Sequence, residues 1–276
     1  MRRVMWLLSL ALISGCAAEQ AAAPVPAQRS ADPRPRMEQI KADCMKQSGF
    51  RYLAFVQPQR PEPDLSTYEA MKTYRNKYGF GVFAQFAYPM DPLSGSIESA
   101  QALHDKDPNV AVTRKLSGAQ LDSYNEKLDN CGWKAAKEVL GKEVSTRMDA
   151  VGLLQEARGE LEAAEIDGDS ELVDRASGFA DCLVGKGRRV PSTTPMALAK
   201  RGETAFMDQA EELGPDKLGN AWPDLTPAQA RPYLDREIKA ALEDLECGKE
   251  FYTRFAPKHA SINARVWAEY GPLLGR

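Results

Sequence analysis

Apolar positions recur with the period of an α-helix over most of this chain. Leu121, Tyr124, Leu128 and Cys131 line one such face. Leu172, Ala176, Phe179, Ala180 and Leu183 line a second, and Leu234, Ile238, Leu242 and Leu245 a third. Read together with their caps, these stripes predict helices near 37–48, 65–77, 118–140, 143–165, 169–185, 194–213 and 227–256. Pro257 is expected to kink or break the last run, with more helix beyond it. Ser117 and Thr226 read as N-caps, and Gln120 and Gln229 complete capping boxes three residues on. Pro227 takes the first helical position, where a missing N–H costs nothing. The rhythm changes at residues 50–56 and 81–88, which predict short strands, while Pro and Gly mark 58–63 and 88–96 as loops. The expected fold is mainly α with minor β.

Composition narrows the class only mildly. Hydrophobic residues make up 43% and charged residues 27% of 276 positions, enough for a globular core. A formal net charge of −3 leaves no electrostatic footprint for nucleic acid, and none is expected as a partner. The one dense basic cluster, Lys186, Arg188 and Arg189, reads as a solvated turn.

The N-terminus carries more information. Residues 1–16 read MRRVMWLLSLALISGC: a basic start, then an apolar stretch too short to span a bilayer. Ile13-Ser14-Gly15-Cys16 resembles the lipobox of bacterial lipoprotein signal peptides. That resemblance implies removal of residues 1–15 and acylation of Cys16, whose acyl chains would hold the protein on the extracytoplasmic side of a membrane. Ala17, a non-acidic residue after the lipidated cysteine, implies the outer membrane in a cell that has two. Residues 16–36, rich in Ala and Pro, are expected to form a flexible tether.

Four further cysteines follow: Cys44, Cys131, Cys182 and Cys247. An even count in an exported chain points to disulfides, with three pairings open. Internal similarity selects one. Residues 42–49 (ADCMKQSG) match 180–187 (ADCLVGKG), and 116–124 (LSGAQLDSY) match 225–233 (LTPAQARPY). Each second segment leads on to Cys-Gly, at Cys131-Gly132 and Cys247-Gly248. Three matches in the same order argue for a duplication. Two related halves, 37–141 and 142–276, are expected, each stapled internally as Cys44–Cys131 and Cys182–Cys247. There is no Cys-x-x-Cys and no histidine near a cysteine, so neither a metal nor a cofactor is expected.

The motifs Cys44-Met45 through Gly49-Phe50, Tyr78-Gly79-Phe80-Gly81 and Cys131-Gly132 together resemble a set of uncharacterised bacterial secreted lipoproteins. The resemblance implies export and an oxidised state, and no activity. The second half departs from it: Leu183 stands for the methionine and Arg188 for the aromatic.

Catalytic signatures are sparse. His104 and His259 are the only histidines, and neither adjoins a recognisable nucleophile motif; both read as surface residues near loops or breaks. Gly178 and Lys186 bracket a stretch with the wrong spacing for a phosphate loop. Glu165, Asp167, Asp169 and Glu171 alternate like calcium ligands, but Ser170 stands where the loop needs glycine and Ala176 where it needs glutamate. Asp167 and Asp169 are better read as turning and capping the helix near Glu171. Residues 74–88 concentrate aromatics around two glycines. Tyr78, Phe80, Phe83, Phe86 and Tyr88 are either a core hairpin, the favoured reading, or a binding patch. The expectation is a non-catalytic envelope binding or scaffolding module, whose partner is an envelope glycan or protein. The alternative is a glycan-cleaving hydrolase using two carboxylates in a deep cleft, and a third reading is an exported inhibitor or immunity protein.

Overall fold

The computed structural model describes residues 32–215 and 222–275. The leader, Cys16 and the tether as far as Ala31 lie outside the described residues. The first helix, α1, spans Arg34–Gln47 and so starts inside the stretch expected to be tether. Pro33 and Pro35 pre-set the backbone for a helix start. The Asp32 carboxylate accepts the Arg34 N–H at 3.0 Å and grips its guanidinium at 2.7–3.1 Å. Beyond it come α2 (Tyr68–Tyr78), the short α3 (Ala84–Ala87), α4 (Ile97–His104), α5 (Val110–Thr113), α6 (Gly118–Leu140) and α7 (Arg147–Glu162). The remaining helices are α8 (Ser170–Gly185), α9 (Pro195–Glu212), α10 (Pro227–Cys247) and α11 (Lys249–Tyr270). A π-helical turn at Ala163–Asp167 joins α7 to α8, and a 3₁₀ turn at Gly271–Leu274 follows α11.

No strand forms among the described residues, so both expected strands are corrected. Residues 50–56 carry no regular secondary structure, and the group that pairs with their backbone at Leu53 is a side chain. Asn109, buried, accepts the Leu53 N–H at 2.8 Å and donates to the Leu53 carbonyl at 2.9 Å, taking the place of a neighbouring strand. Residues 81–88 turn at Gly81 and enter α3. The break expected at Pro257 falls instead at Gly248, where a Cβ would sit 2.8 Å from the Tyr252 ring and 3.1 Å from Phe179. Only glycine lets these rings close over the end of α10. Pro257 sits inside α11, which continues past it with one backbone donor missing.

Both disulfides form in the expected pairing. Cys44–Cys131 ties α1 to α6 with Cα atoms 5.7 Å apart, and Cys182–Cys247 ties α8 to α10 at 5.5 Å. Two disulfides fit an oxidising, extracytoplasmic environment. The matched sequence segments fold alike. In the first, Gly49 has φ +83° and the Phe50 N–H returns to the Met45 carbonyl at 3.0 Å. In the second, Gly187 has φ +75° and the Arg188 N–H returns to Leu183 at 2.9 Å. Ala-Asp-Cys-[Met/Leu]-x-x-x-Gly is thus a helix ending with its cysteine near the end, closed by a left-handed glycine. Both expected capping boxes are made.

The largest core surrounds α8 and α11, where Leu172, Phe179, Leu183, Phe251, Tyr252 and Ile262 are buried together. A separate cluster of Met45, Tyr124 and Cys131 wraps the first disulfide. Helices α2 and α3, from the stretch read as the first half, pack on α10 from the second. Residues from Asp32 onward form one compact unit.

Candidate functional site

The aromatic segment is drawn mostly into the fold. Tyr78 is 5% exposed and Phe83 not at all, so neither ring offers a binding surface. Tyr78 stacks on Tyr74 at 4.8 Å, and its hydroxyl donates to Asp91 at 2.8 Å. Phe83 stacks on Tyr233 at 4.9 Å. Phe86 and Tyr88 are half-buried: Phe86 leans on Trp222, and the Tyr88 hydroxyl accepts from Arg231 at 2.7 Å. Phe80 sits under the Arg75 guanidinium and also borders a cavity of about 410 Å³.

What organises this segment is a residue that sequence reasoning missed. Glu237 on α10 is fully buried, and its carboxylate accepts the Val82 and Phe83 N–H groups at 2.9 and 2.8 Å. The turn after α2 wraps around that carboxylate as a nest of backbone donors. Gly79, at φ +64°, is required twice over: the conformation favours glycine, and a Cβ would meet Glu237 Cγ at 2.7 Å. Burial raises the Glu237 pKa to about 7, against the pull of the N–H groups of residues 80–83. Sealed as it is, this carboxylate anchors the fold.

A second buried group was also invisible in the sequence. Asp244, fully buried, binds Arg75 at 2.7 Å and Arg201 at 3.1 Å, and accepts the Tyr252 hydroxyl at 2.6 Å. His259, expected at the surface, lies within α11, stacked on Phe255 at 5.0 Å. Its Nε2 is 3.4 Å from Glu162, which also binds Lys200 at 3.0 Å. Asp169 caps α8 as expected and takes Arg254 and Lys258. Hydrogen bonds from Lys258 and Arg254 hold its carboxyl well below the usual range. Asp167 instead caps α9, accepting the Met196 N–H at 2.8 Å. Among the described residues no group of His, Cys, Asp and Glu could hold a metal ion.

The open site lies elsewhere, beside the first disulfide. A cavity of about 450 Å³ is bounded by α1, α6, the irregular residues 52–57 and the 3₁₀ turn. It adjoins a second of about 820 Å³ under the proline-rich stretch 57–62, and the two share Gln57, His104, Arg147, Leu274 and Gly275. Each cavity on its own falls in the size range of small-molecule sites. The geometry of the cleft follows from local structure. The disulfide holds α1 against α6, the Asn109 side chain pins residues 52–57 across them, and Arg147 enters at the start of α7. His104, expected in a loop, ends α4 and stands where the two cavities meet.

Inside the cleft, Glu38 is occupied by Lys41 and by the Tyr52 hydroxyl, which donates at 2.7 Å. Burial, then the hydrogen bond to Glu38 and its charge, pushes the Tyr52 pKa up. Asp107 accepts the N–H and side-chain amide of Asn109 at 2.8 and 2.9 Å. Among the described residues, two buried atoms of lining residues have no hydrogen-bond partner: the Tyr124 hydroxyl and Arg34 Nη1. Burial, together with the charge of Asp107, lifts the Tyr124 pKa to about 12, so the phenol keeps its proton. An unmade bond to a buried polar group costs about 1–3 kcal/mol. Both groups belong to residues that line this one cavity.

No family model matches the chain, and neither a curated protein nor a solved structure matches it.

Proposed function

We propose that this chain is an exported envelope lipoprotein, held on the extracytoplasmic side of a membrane by acyl chains on Cys16, whose body is a non-catalytic binding module. The lipobox-like sequence at Ile13–Cys16 supports the anchor. Among the described residues no helix is long and apolar enough to cross a membrane. The observation that carries the binding reading is the cleft beside Cys44–Cys131, with its unpartnered Tyr124 hydroxyl and Arg34 Nη1. Two of its carboxylates, Glu38 and Asp107, already hold neighbouring side chains, which favours binding over acid–base hydrolysis.

Gly132 gives the test. It lines the cleft on α6, and a Cβ there meets nothing within 4 Å. Gly132→Trp therefore fills the cavity without disturbing the helix, and removing an interior glycine even favours it. Native mass spectrometry of the protein incubated with an envelope extract is expected to show a bound small molecule, absent from Gly132→Trp. A parent protein with no adduct would overturn the binding reading. Unlabelled Cys16 after growth on a fatty-acid probe would overturn the anchor.

A further inference from the structure

Resting on that binding reading, we infer that the cleft takes a neutral oligosaccharide, a polyhydroxyl ligand lying across both cavities.

Charge is the first argument. The full charges lining the inner cavity are Arg34, Lys41 and Arg147 against Glu38, Asp107 and Asp129. They balance, so the cavity gives no net attraction to an anion or a cation. The second argument is which groups are free. Among the described residues Arg147 makes no hydrogen bond or ion pair, and the Tyr124 hydroxyl and Arg34 Nη1 are unpartnered donors. Asp129 is exposed on α6 without a partner, and Asn125 one turn before it is likewise free. Free donors and free acceptors thus line one cavity. A hydroxyl is the group that donates and accepts at a single atom, and a sugar presents several on one ring.

The third argument is the remaining surface. Tyr52 and Trp133, both partly exposed, line the same cavity and offer flat apolar faces to the C–H face of a sugar, as aromatic rings with a polar edge do at mixed sites. The fourth is length. The inner cavity continues into the larger outer one past His104 and Arg147, giving room for more than one ring.

The test is a calorimetric titration of the purified full chain with chitotriose and cellotriose, beside decanoate and trialanine as an anionic amphiphile and a peptide. At least one trisaccharide is expected to bind, with an affinity unchanged between low and high salt, because no net charge is exchanged. Asp129→Ala is expected to weaken that binding at least 5-fold with no change in Tm. Tyr124→Phe is expected to weaken it several-fold without lowering Tm, since it removes an unsatisfied hydroxyl; a purely structural tyrosine would leave affinity unmoved. Preferential binding of decanoate or trialanine would overturn the sugar assignment and leave the binding module standing. So would an envelope adduct whose affinity falls with salt. Failure of all four probes together with no envelope adduct would overturn both.

Discussion

Glu237 accepts the backbone N–H of Phe83 at 2.8 Å, across 154 residues of sequence. That contact explains the Tyr-Gly-Phe-Gly motif. The glycines bring bare backbone around a buried carboxylate, and the aromatics on either side pack outward from it into α9 and α10. Glu237→Gln replaces an acceptor with an amide that presents N–H to N–H. It is expected to cost about 2–4 kcal/mol. Gly79→Ala, strained in backbone and in space, should destabilise comparably. Denaturant unfolding monitored by circular dichroism measures both.

The same carboxylate gives a pH dependence of defined sign. Its pKa is about 7 in the folded protein against an ordinary 4.5. Between those values the folded state holds a proton that the unfolded chain has released, so this group's contribution to stability falls as pH rises. The loss is about 3 kcal/mol across the window, then level. Carbon-detected NMR of labelled glutamate side chains should show one midpoint near 7, absent from Glu237→Gln.

Asp244 holds two arginines and a tyrosine in a fully buried site. Asp244→Asn removes the buried negative charge that both Arg75 and Arg201 contact. The expected cost is about 3–5 kcal/mol, visible as a large fall in Tm.

The two disulfides close loops with sequence separations of 87 and 65 residues. Replacing either pair by alanines is expected to destabilise by about 4 kcal/mol. Unreduced peptide mapping should yield Cys44–Cys131 and Cys182–Cys247 peptides and no crossed ones.

The legible part of this fold was local. Capping boxes at Ser117 and Thr226, the buried stripe of α8 and the cysteine pairing were all readable, because each depends on residues within a few turns or on a matched pair of segments. What sequence could not supply were contacts made over long separations by single polar side chains. Where a strand was expected, the Asn109 side chain pairs with the Leu53 backbone of an irregular segment. Glu237 turned an expected hairpin into a nest. Gly248, rather than Pro257, ended α10 because two rings close over it. The cleft was missed for the same reason: its walls come from α1, α6, residues 52–57 and the turn after α11, which no motif links.

Ligand is expected to enter the cleft beside Cys44–Cys131 rather than to bind the aromatic segment 74–88. Hydrogen–deuterium exchange with and without envelope extract tests it most directly. Slowed exchange is predicted in peptides covering 52–57 and 121–133, with no change at 74–88. Protection confined to 74–88, or protection nowhere, would contradict it.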